Sequence, residues 1–155
     1  MRLDKISLLF LVISMLVAGK AFSQIIIADP ENPVPEDSVT ITFDATEGEQ
    51  ALMDYTGEVY AYTGITANGD RWQYEVAEWS ENIDKTKLTR VSENTYELKI
   101  KPSIREFYEA DADDVITELC FVFRSSDGEK QTNDLFYDVI DFHVAIDTPA
   151  TRRFI

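Results

Sequence analysis

Cysteine and histidine are almost missing from this chain: among 155 residues, Cys120 and His143 each stand alone. A single cysteine cannot form an internal disulfide, and a lone histidine without a cysteine nearby argues against a zinc site. Cys120 lies in the apolar run 119–123, which favours a buried, inert thiol over a nucleophile. We therefore expect no metal, no cofactor and no Ser-His or Cys-His catalysis.

No apolar run is long enough to span a bilayer. The longest, residues 6–19, falls short of the roughly 20 residues that a spanning helix needs. Two basic residues precede it, and a small-x-small cleavage site ending at Ser23 follows it. We interpret residues 1–23 as a cleavable signal peptide rather than a membrane anchor. This predicts a secreted or cell-surface protein that begins at Gln24.

Positive charge is also scarce, since 14 basic residues face 29 acidic ones. The signal peptide carries three basic residues and one acidic residue, so 14 less 3 leaves 11 basic residues and 29 less 1 leaves 28 acidic ones. The mature net charge is therefore −17, the difference between those two counts. Such a surface repels phosphate backbones and anionic lipid, which argues against nucleic-acid partners and against membrane insertion after cleavage. Neutral polymers, cations and basic partners remain open.

The mature chain does contain a series of short strand patterns. Apolar residues alternate with polar ones in 39–44 and again in 96–101, as in half-buried strands. Residues 58–63 resemble a further strand, and the uninterrupted apolar run 119–123 predicts a central strand covered on both faces. A strand is also expected at 72–76, where the alternation points Trp72 inward.

Turn residues separate these patterns. Asn68-Gly69-Asp70 and Ser92-Glu93-Asn94 each predict a hairpin. Ser103 and Glu106 have the spacing of a capping box, which predicts one short helical turn over 103–108. About seven strands with turns every 8–12 residues predict an all-β, antiparallel two-sheet sandwich.

The chain divides into four parts by composition. The predicted signal peptide is followed by an extended lead-in, residues 24–38, and its proline-rich part, residues 29–38, is expected to have no regular strand pairing. The β-sandwich module is expected over 39–142. Residues 143–155 are interpreted as the start of a further domain or a tail. The acidic run 111–114 lacks the glycine and ligand spacing of a known calcium loop and is interpreted as solvated.

Six ordered blocks carry a family resemblance. They are Phe43-Asp44-Ala45-Thr46-Glu47-Gly48, residues 56–64, Trp72 to Trp79 with Lys87-Leu88-Thr89-Arg90, Tyr96-Glu97-Leu98, Ile104-Arg105-Glu106-Phe107-Tyr108 and residues 121–128. Together they resemble the N-terminal immunoglobulin-like β-sandwich module of secreted α-amylase-family glycosidases, which is similar to starch-binding modules of outer-membrane starch-utilisation proteins. The resemblance covers about residues 38–142.

The resemblance implies a non-catalytic module for starch-like α-glucan, usually followed by downstream domains of a longer protein. The alternative is a structural spacer or protein-interaction domain that binds no sugar. Paired carboxylates occur throughout so acidic a chain, so their presence does not indicate a glycosidase. Glycoside hydrolysis also needs two carboxyl groups at a set separation across a cleft, which a small sandwich rarely supplies. We therefore predict that the module is not an enzyme.

Exposed aromatic rings are the groups that a sugar-binding module needs, because the apolar face of a pyranose stacks on them. The candidates are Trp79, with polar neighbours on both sides, together with Tyr62 and Trp72. The competing interpretation for each ring is packing in the core or over a sheet edge. Exposure of Trp79 and Tyr62 on one surface would favour sugar binding. Arg105 and Arg124 are expected to be partly buried and paired to carboxylates.

Overall fold

The computed structural model describes residues 24–142, which form eight strands, one short α-helix and one 3₁₀ turn, Asp84–Thr86. The first four strands are β1 (Ile26–Asp29), β2 (Val39–Asp44), β3 (Val59–Ala67) and β4 (Asp70–Gln73). The others are β5 (Thr89–Ser92), β6 (Thr95–Ile100), β7 (Ile116–Ser125) and β8 (Leu135–Asp138), and the helix α1 is Ile104–Tyr108.

The strands form two antiparallel four-stranded sheets, with the orders β1-β2-β6-β5 and β4-β3-β7-β8. The predicted antiparallel β-sandwich is thus confirmed. In β2 and β6 the alternate residues point into the sandwich, and the register places Ile41 opposite Leu98. The period-two apolar pattern therefore decides which face of this sheet is buried.

The second sheet is built on the long pair β3 and β7. Residues 119–123 of β7 are all buried, which confirms the predicted central strand. Phe121 and Phe123 stack on each other at 5.5 Å, and Phe43 of the opposite sheet packs on Phe123 at 4.6 Å. Burial of each such ring contributes about 1.5–3 kcal/mol, so these contacts join the two sheets.

Both predicted hairpins are present. Asn68 and Gly69 have φ values of 53° and 88°, as a type I′ turn between β3 and β4 requires. The second hairpin joins β5 to β6 across residues 93–94. The predicted helical turn is confirmed as α1, where the Ser103 hydroxyl accepts a hydrogen bond from the backbone N–H of Glu106 at 3.1 Å.

The lead-in predicted for residues 24–38 is corrected in its first part. Ile26–Asp29 is a strand, and Ile26 lies opposite Phe43 in the β1-β2 ladder. The prolines that suggested an unpaired segment begin only at Pro30, after this strand has ended. The predicted signal peptide, His143 and the predicted tail 143–155 lie outside the described residues.

Within residues 24–142, no helix has the length and apolar character needed to cross a membrane. The same residues contain no group of three or more acidic, histidine or cysteine side chains that could hold a metal ion.

Candidate functional site

Four aromatic rings meet on the outer face of the β4-β3-β7-β8 sheet, and we call them the outer aromatic surface: Tyr62, Trp72, Trp79 and Phe136. Trp72 stacks on Tyr62 at 5.4 Å with an interplanar angle of 25°. Trp79 meets Tyr62 at 5.2 Å and 70°, and Phe136 meets Trp72 at 6.2 Å and 65°. The structure therefore brings together all three residues that the sequence nominated for ligand binding.

Tyr62 occupies the centre of this surface because of the alternation along β3. Ala61 and its alternate neighbours face the core, so Tyr62 projects outward, opposite Val122 of β7. Its ring is half-buried between the two indoles. Burial, together with a hydrogen bond to the Glu75 carboxylate, raises the pKa of Tyr62 to about 12. The Tyr62 side chain is therefore uncharged at neutral pH, and its ring supports both indoles while its hydroxyl group interacts with Glu75.

The predicted inward orientation of Trp72 is wrong. The residue adopts φ = 59° and Tyr74 adopts φ = 54°, so the backbone leaves the strand period at this point. Tyr74 and Val76 pack against the core, whereas Trp72 stacks on the outward-facing Tyr62. A left-handed backbone at a bulky residue is uncommon and costs of the order of 1–3 kcal/mol.

Trp79 lies on a turn that precedes the 3₁₀ segment, and it is 39% exposed. The turn is closed by a hydrogen bond from Glu81 N to Glu78 O at 3.0 Å and by one from Glu78 N to a Glu81 carboxylate oxygen at 3.0 Å. One neighbour of the ring is the Arg124 guanidinium, 5.6 Å from the ring centroid. Trp79 is therefore neither a core residue nor an isolated surface ring.

The sequence analysis missed Phe136 and its partner Arg71. Arg71 lies 3.8 Å above the Phe136 ring and forms two hydrogen bonds to the Glu118 carboxylate, at 2.8 and 2.9 Å. The signal for Phe136 was present in the alternation of β8, because Leu135 and Tyr137 pack against the core and leave Phe136 on the opposite face. Nothing in the sequence pairs Arg71 with Glu118, since that contact depends on the β3-β4-β7 register.

The two indole rings are not coplanar. The Tyr62 plane makes 25° with Trp72 and 70° with Trp79, and because these angles differ by 45°, the indole planes are inclined to each other by at least 45°. A rigid flat ligand cannot stack on both rings at once. The outer aromatic surface is therefore not a flat platform.

Cys120 and Asp114, which the sequence analysis considered for other chemistry, both make contacts within the domain. Cys120 is buried, and burial raises the pKa of its thiol, in agreement with the predicted inert cysteine. In the acidic loop, Asp114 accepts hydrogen bonds from Asn68 at 2.6 Å and from the Tyr74 hydroxyl at 2.5 Å. Hydrogen bonds from Tyr74 and Asn68 hold the pKa of Asp114 below its ordinary value.

These features define the chain as an antiparallel β-sandwich domain with a cluster of aromatic side chains on the outer face of one sheet. It belongs to the family described as Domain of unknown function (DUF8578), which matches residues 26–132. The match includes Tyr62, Trp72 and Trp79 but ends before Phe136. No curated protein matches the chain.

Proposed function

We propose that this domain is a non-catalytic carbohydrate-binding module for starch-like α-glucan, within a secreted or surface-attached glycosidase system. The observation that carries the proposal is the contact of Trp72 and Trp79 with Tyr62, with the two indole planes inclined by at least 45°. An α-linked glucan chain curves, whereas a β-linked glucan such as cellulose is a flat ribbon. Inclined rings suit the curved chain.

The surroundings of the rings support a neutral polar ligand. Ligand sites combine apolar surface with a few polar groups that fix orientation. Here the Glu75 carboxylate lies beside Tyr62 and can accept hydrogen bonds from sugar hydroxyls. The acidic composition of the chain disfavours polyanionic polysaccharides.

Retention on insoluble starch tests this proposal directly. The mature chain should bind amylose and amylopectin and should not bind cellulose. Trp79→Ala and Trp72→Ala should each weaken retention by about five- to 150-fold, because loss of one stacking ring costs about 1–3 kcal/mol if sugars resemble nucleobases in this respect. The matched control is Phe142→Ala, which removes a ring that is 79% exposed and outside the outer aromatic surface.

Two results would contradict the proposal. If the unchanged domain is not retained on any glucan, the spacer or protein-interaction alternative is correct. If Phe142→Ala weakens retention as much as Trp79→Ala, the binding is not specific to the outer aromatic surface. Far-UV circular dichroism should show that all three variants keep the β-sandwich.

We also propose that the chain is exported and that its signal peptide is removed after Ser23. Strand β1 begins at Ile26, so cleavage at this position leaves every described strand intact. Amino-terminal sequencing of exported protein should begin at Gln24. An intact amino terminus in a membrane fraction would contradict export by this route.

A further inference from the structure

Arg124 is a buried cation on the outer face of β7, where it is 2% exposed and lies opposite Tyr60 of β3. Its guanidinium donates to the Glu81 carbonyl at 2.7 Å, to the Asn82 side-chain oxygen at 2.9 Å and to the Ser125 carbonyl at 3.1 Å. Its carbon centre also lies 5.8 Å from the Tyr60 ring centroid and 5.6 Å from that of Trp79.

The expected carboxylate partner of Arg124 is not found among the residues that the structure describes. Arg124 forms no ion pair in residues 24–142, and its Nε atom is buried without an acceptor there. Burial lowers the pKa of this guanidinium. A buried charge that lacks an opposite charge is costly, so stability alone does not explain an arginine here.

Arg105 provides an internal comparison, because it is also largely covered and bonds to backbone carbonyls. In contrast to Arg124, its Nε lies 3.0 Å from a Glu36 carboxylate oxygen, as the sequence predicted. Its other bonds reach the carbonyls of Asp111 and Asp114, in the acidic loop. Arg105 therefore ties together loops that form no part of the outer aromatic surface.

The contacts of Arg124 converge instead on the turn that carries Trp79. Glu81 and Asn82 follow Trp79 by two and three residues, and Asn82 also donates to the Ser126 carbonyl at 2.9 Å. Only a planar guanidinium can reach two acceptors on this turn while lying against the rings of Tyr60 and Trp79. A lysine ammonium group has the charge but not this geometry.

We propose that Arg124 is a positioning residue that fixes the turn of Trp79, and thereby the inclination of its ring on the outer aromatic surface. This proposal rests on the proposed function for its effect on glucan binding, but its effect on Trp79 can be measured without a ligand. Replacement of Arg124 should loosen the turn, so that Trp79 spends less time in the orientation that the ligand needs.

The test compares Arg124→Lys with the matched control Arg105→Lys. In a Trp72→Phe background, Trp79 is the only tryptophan of the chain, so acrylamide quenching reports on it alone. Arg124→Lys should at least double the quenching constant and shift the emission to longer wavelength. With Trp72 restored, it should weaken starch retention at least tenfold. Arg105→Lys should change neither property, although both variants should lower the melting temperature.

The outcomes separate the two proposals. Unchanged quenching in Arg124→Lys overturns the positioning role, whatever the retention result. Equal effects of the two lysine variants on quenching and retention also overturn it, because they indicate general loosening. If the unchanged domain does not bind starch, the proposed function fails while quenching still decides the positioning role.

A second variant covers the case in which Arg124→Lys does not fold. Asn82→Ala removes one acceptor of the guanidinium from an exposed residue, so we expect the domain to remain folded. It should raise Trp79 quenching in the same direction. If Asn82→Ala leaves both quenching and retention unchanged, the anchoring of the turn by Arg124 is contradicted.

Discussion

Gly64 lies directly beneath the carbonyl group of Gln73: a Cβ atom at position 64 would be 2.8 Å from that oxygen and 3.6 Å from the carbonyl carbon of Trp72. The backbone of Trp72 and Gln73 thus packs closely against β3 at the one residue of this strand that has no side chain. This close approach holds Trp72 beside Tyr62.

Gly64→Ala is therefore expected to displace the backbone of Trp72 and Gln73. The new methyl group meets a backbone oxygen that cannot rotate away, and overpacking of this kind costs about 1–3 kcal/mol. We expect a melting temperature lower by several degrees and a loss of starch retention comparable to that of Trp72→Ala. Differential scanning fluorimetry and the starch assay measure the two effects.

Gly69→Asn is the control for this prediction. Gly69 has φ = 88° with open space around its Cβ position, and asparagine tolerates a left-handed backbone. Both stability and retention should remain close to those of the unchanged domain. If Gly64→Ala also leaves the melting temperature and starch retention unchanged, the close packing at Gly64 does not determine the position of Trp72.

The regular strands and tight turns were predictable from the sequence because they depend on local patterns. The alternation of Val39, Ile41 and Phe43 fixes the buried face of β2, and Asn68-Gly69 fixes the first hairpin through its positive φ values. Strand β1 was missed because it is four residues long and precedes a proline-rich segment. Its pairing with β2 depends on tertiary contacts.

The candidate site was only partly predictable. Trp79, Tyr62 and Trp72 could be nominated as large aromatics near polar residues, but their meeting point could not be derived. The alternation at 72–76 gave the wrong direction for Trp72, since a periodic pattern does not reveal positive φ at Trp72 and Tyr74. Arg124 was expected to pair with a carboxylate, and its bonds to Glu81 and Asn82 depend on a turn 42 or more residues away in sequence.

The cap of α1 gives a prediction about stability. Ser103 accepts the hydrogen bond of an N–H group that has no partner within the helix, so Ser103→Ala should cost about 1 kcal/mol. Urea unfolding monitored by circular dichroism measures the difference. Ser126→Ala, in an exposed turn, should change the free energy of unfolding by less than half as much. An equal change in both variants would contradict a capping role.

The Arg71–Glu118 pair predicts a pH dependence of stability. Hydrogen bonds from Arg71 and Thr66 hold the pKa of Glu118 below its ordinary value of 4.5 in the folded chain. A carboxylate with a lowered folded-state pKa stabilises the protein above its unfolded pKa, and this stabilisation is lost as the pH falls through the folded pKa. It should be modest, because Arg71 is half exposed to solvent.

Glu118→Gln should therefore lower the melting temperature at pH 7, and the difference from the unchanged domain should shrink as the pH falls below about 4.5. Thermal unfolding at steps between pH 7 and pH 3 measures this difference. Glu93→Gln, in the exposed turn between β5 and β6, supplies the control for the loss of one negative charge. A difference that grows toward low pH would contradict the assigned direction of the Glu118 pKa.

Tyr62 provides the last prediction, because its ring and its hydroxyl group should have separable effects. The ring touches both indoles, whereas the hydroxyl group is engaged with Glu75. Tyr62→Phe keeps the ring and removes one hydrogen bond, which should cost about 0.5–1.5 kcal/mol of stability and leave starch retention within about twofold. Tyr62→Ala removes the support that Trp72 and Trp79 share.

Retention by Tyr62→Ala should accordingly fall at least as far as it does in Trp79→Ala, because both indoles lose their contact with the Tyr62 ring. In the Trp72→Phe background, the quenching of Trp79 should rise. Titration of tyrosine absorbance gives an independent check: the step assigned to Tyr62, absent from Tyr62→Phe, should appear near pH 12. If Tyr62→Phe loses retention as fully as Tyr62→Ala, the hydroxyl group itself contacts the glucan, and the tyrosine is a ligand-binding residue rather than a support for the two tryptophans.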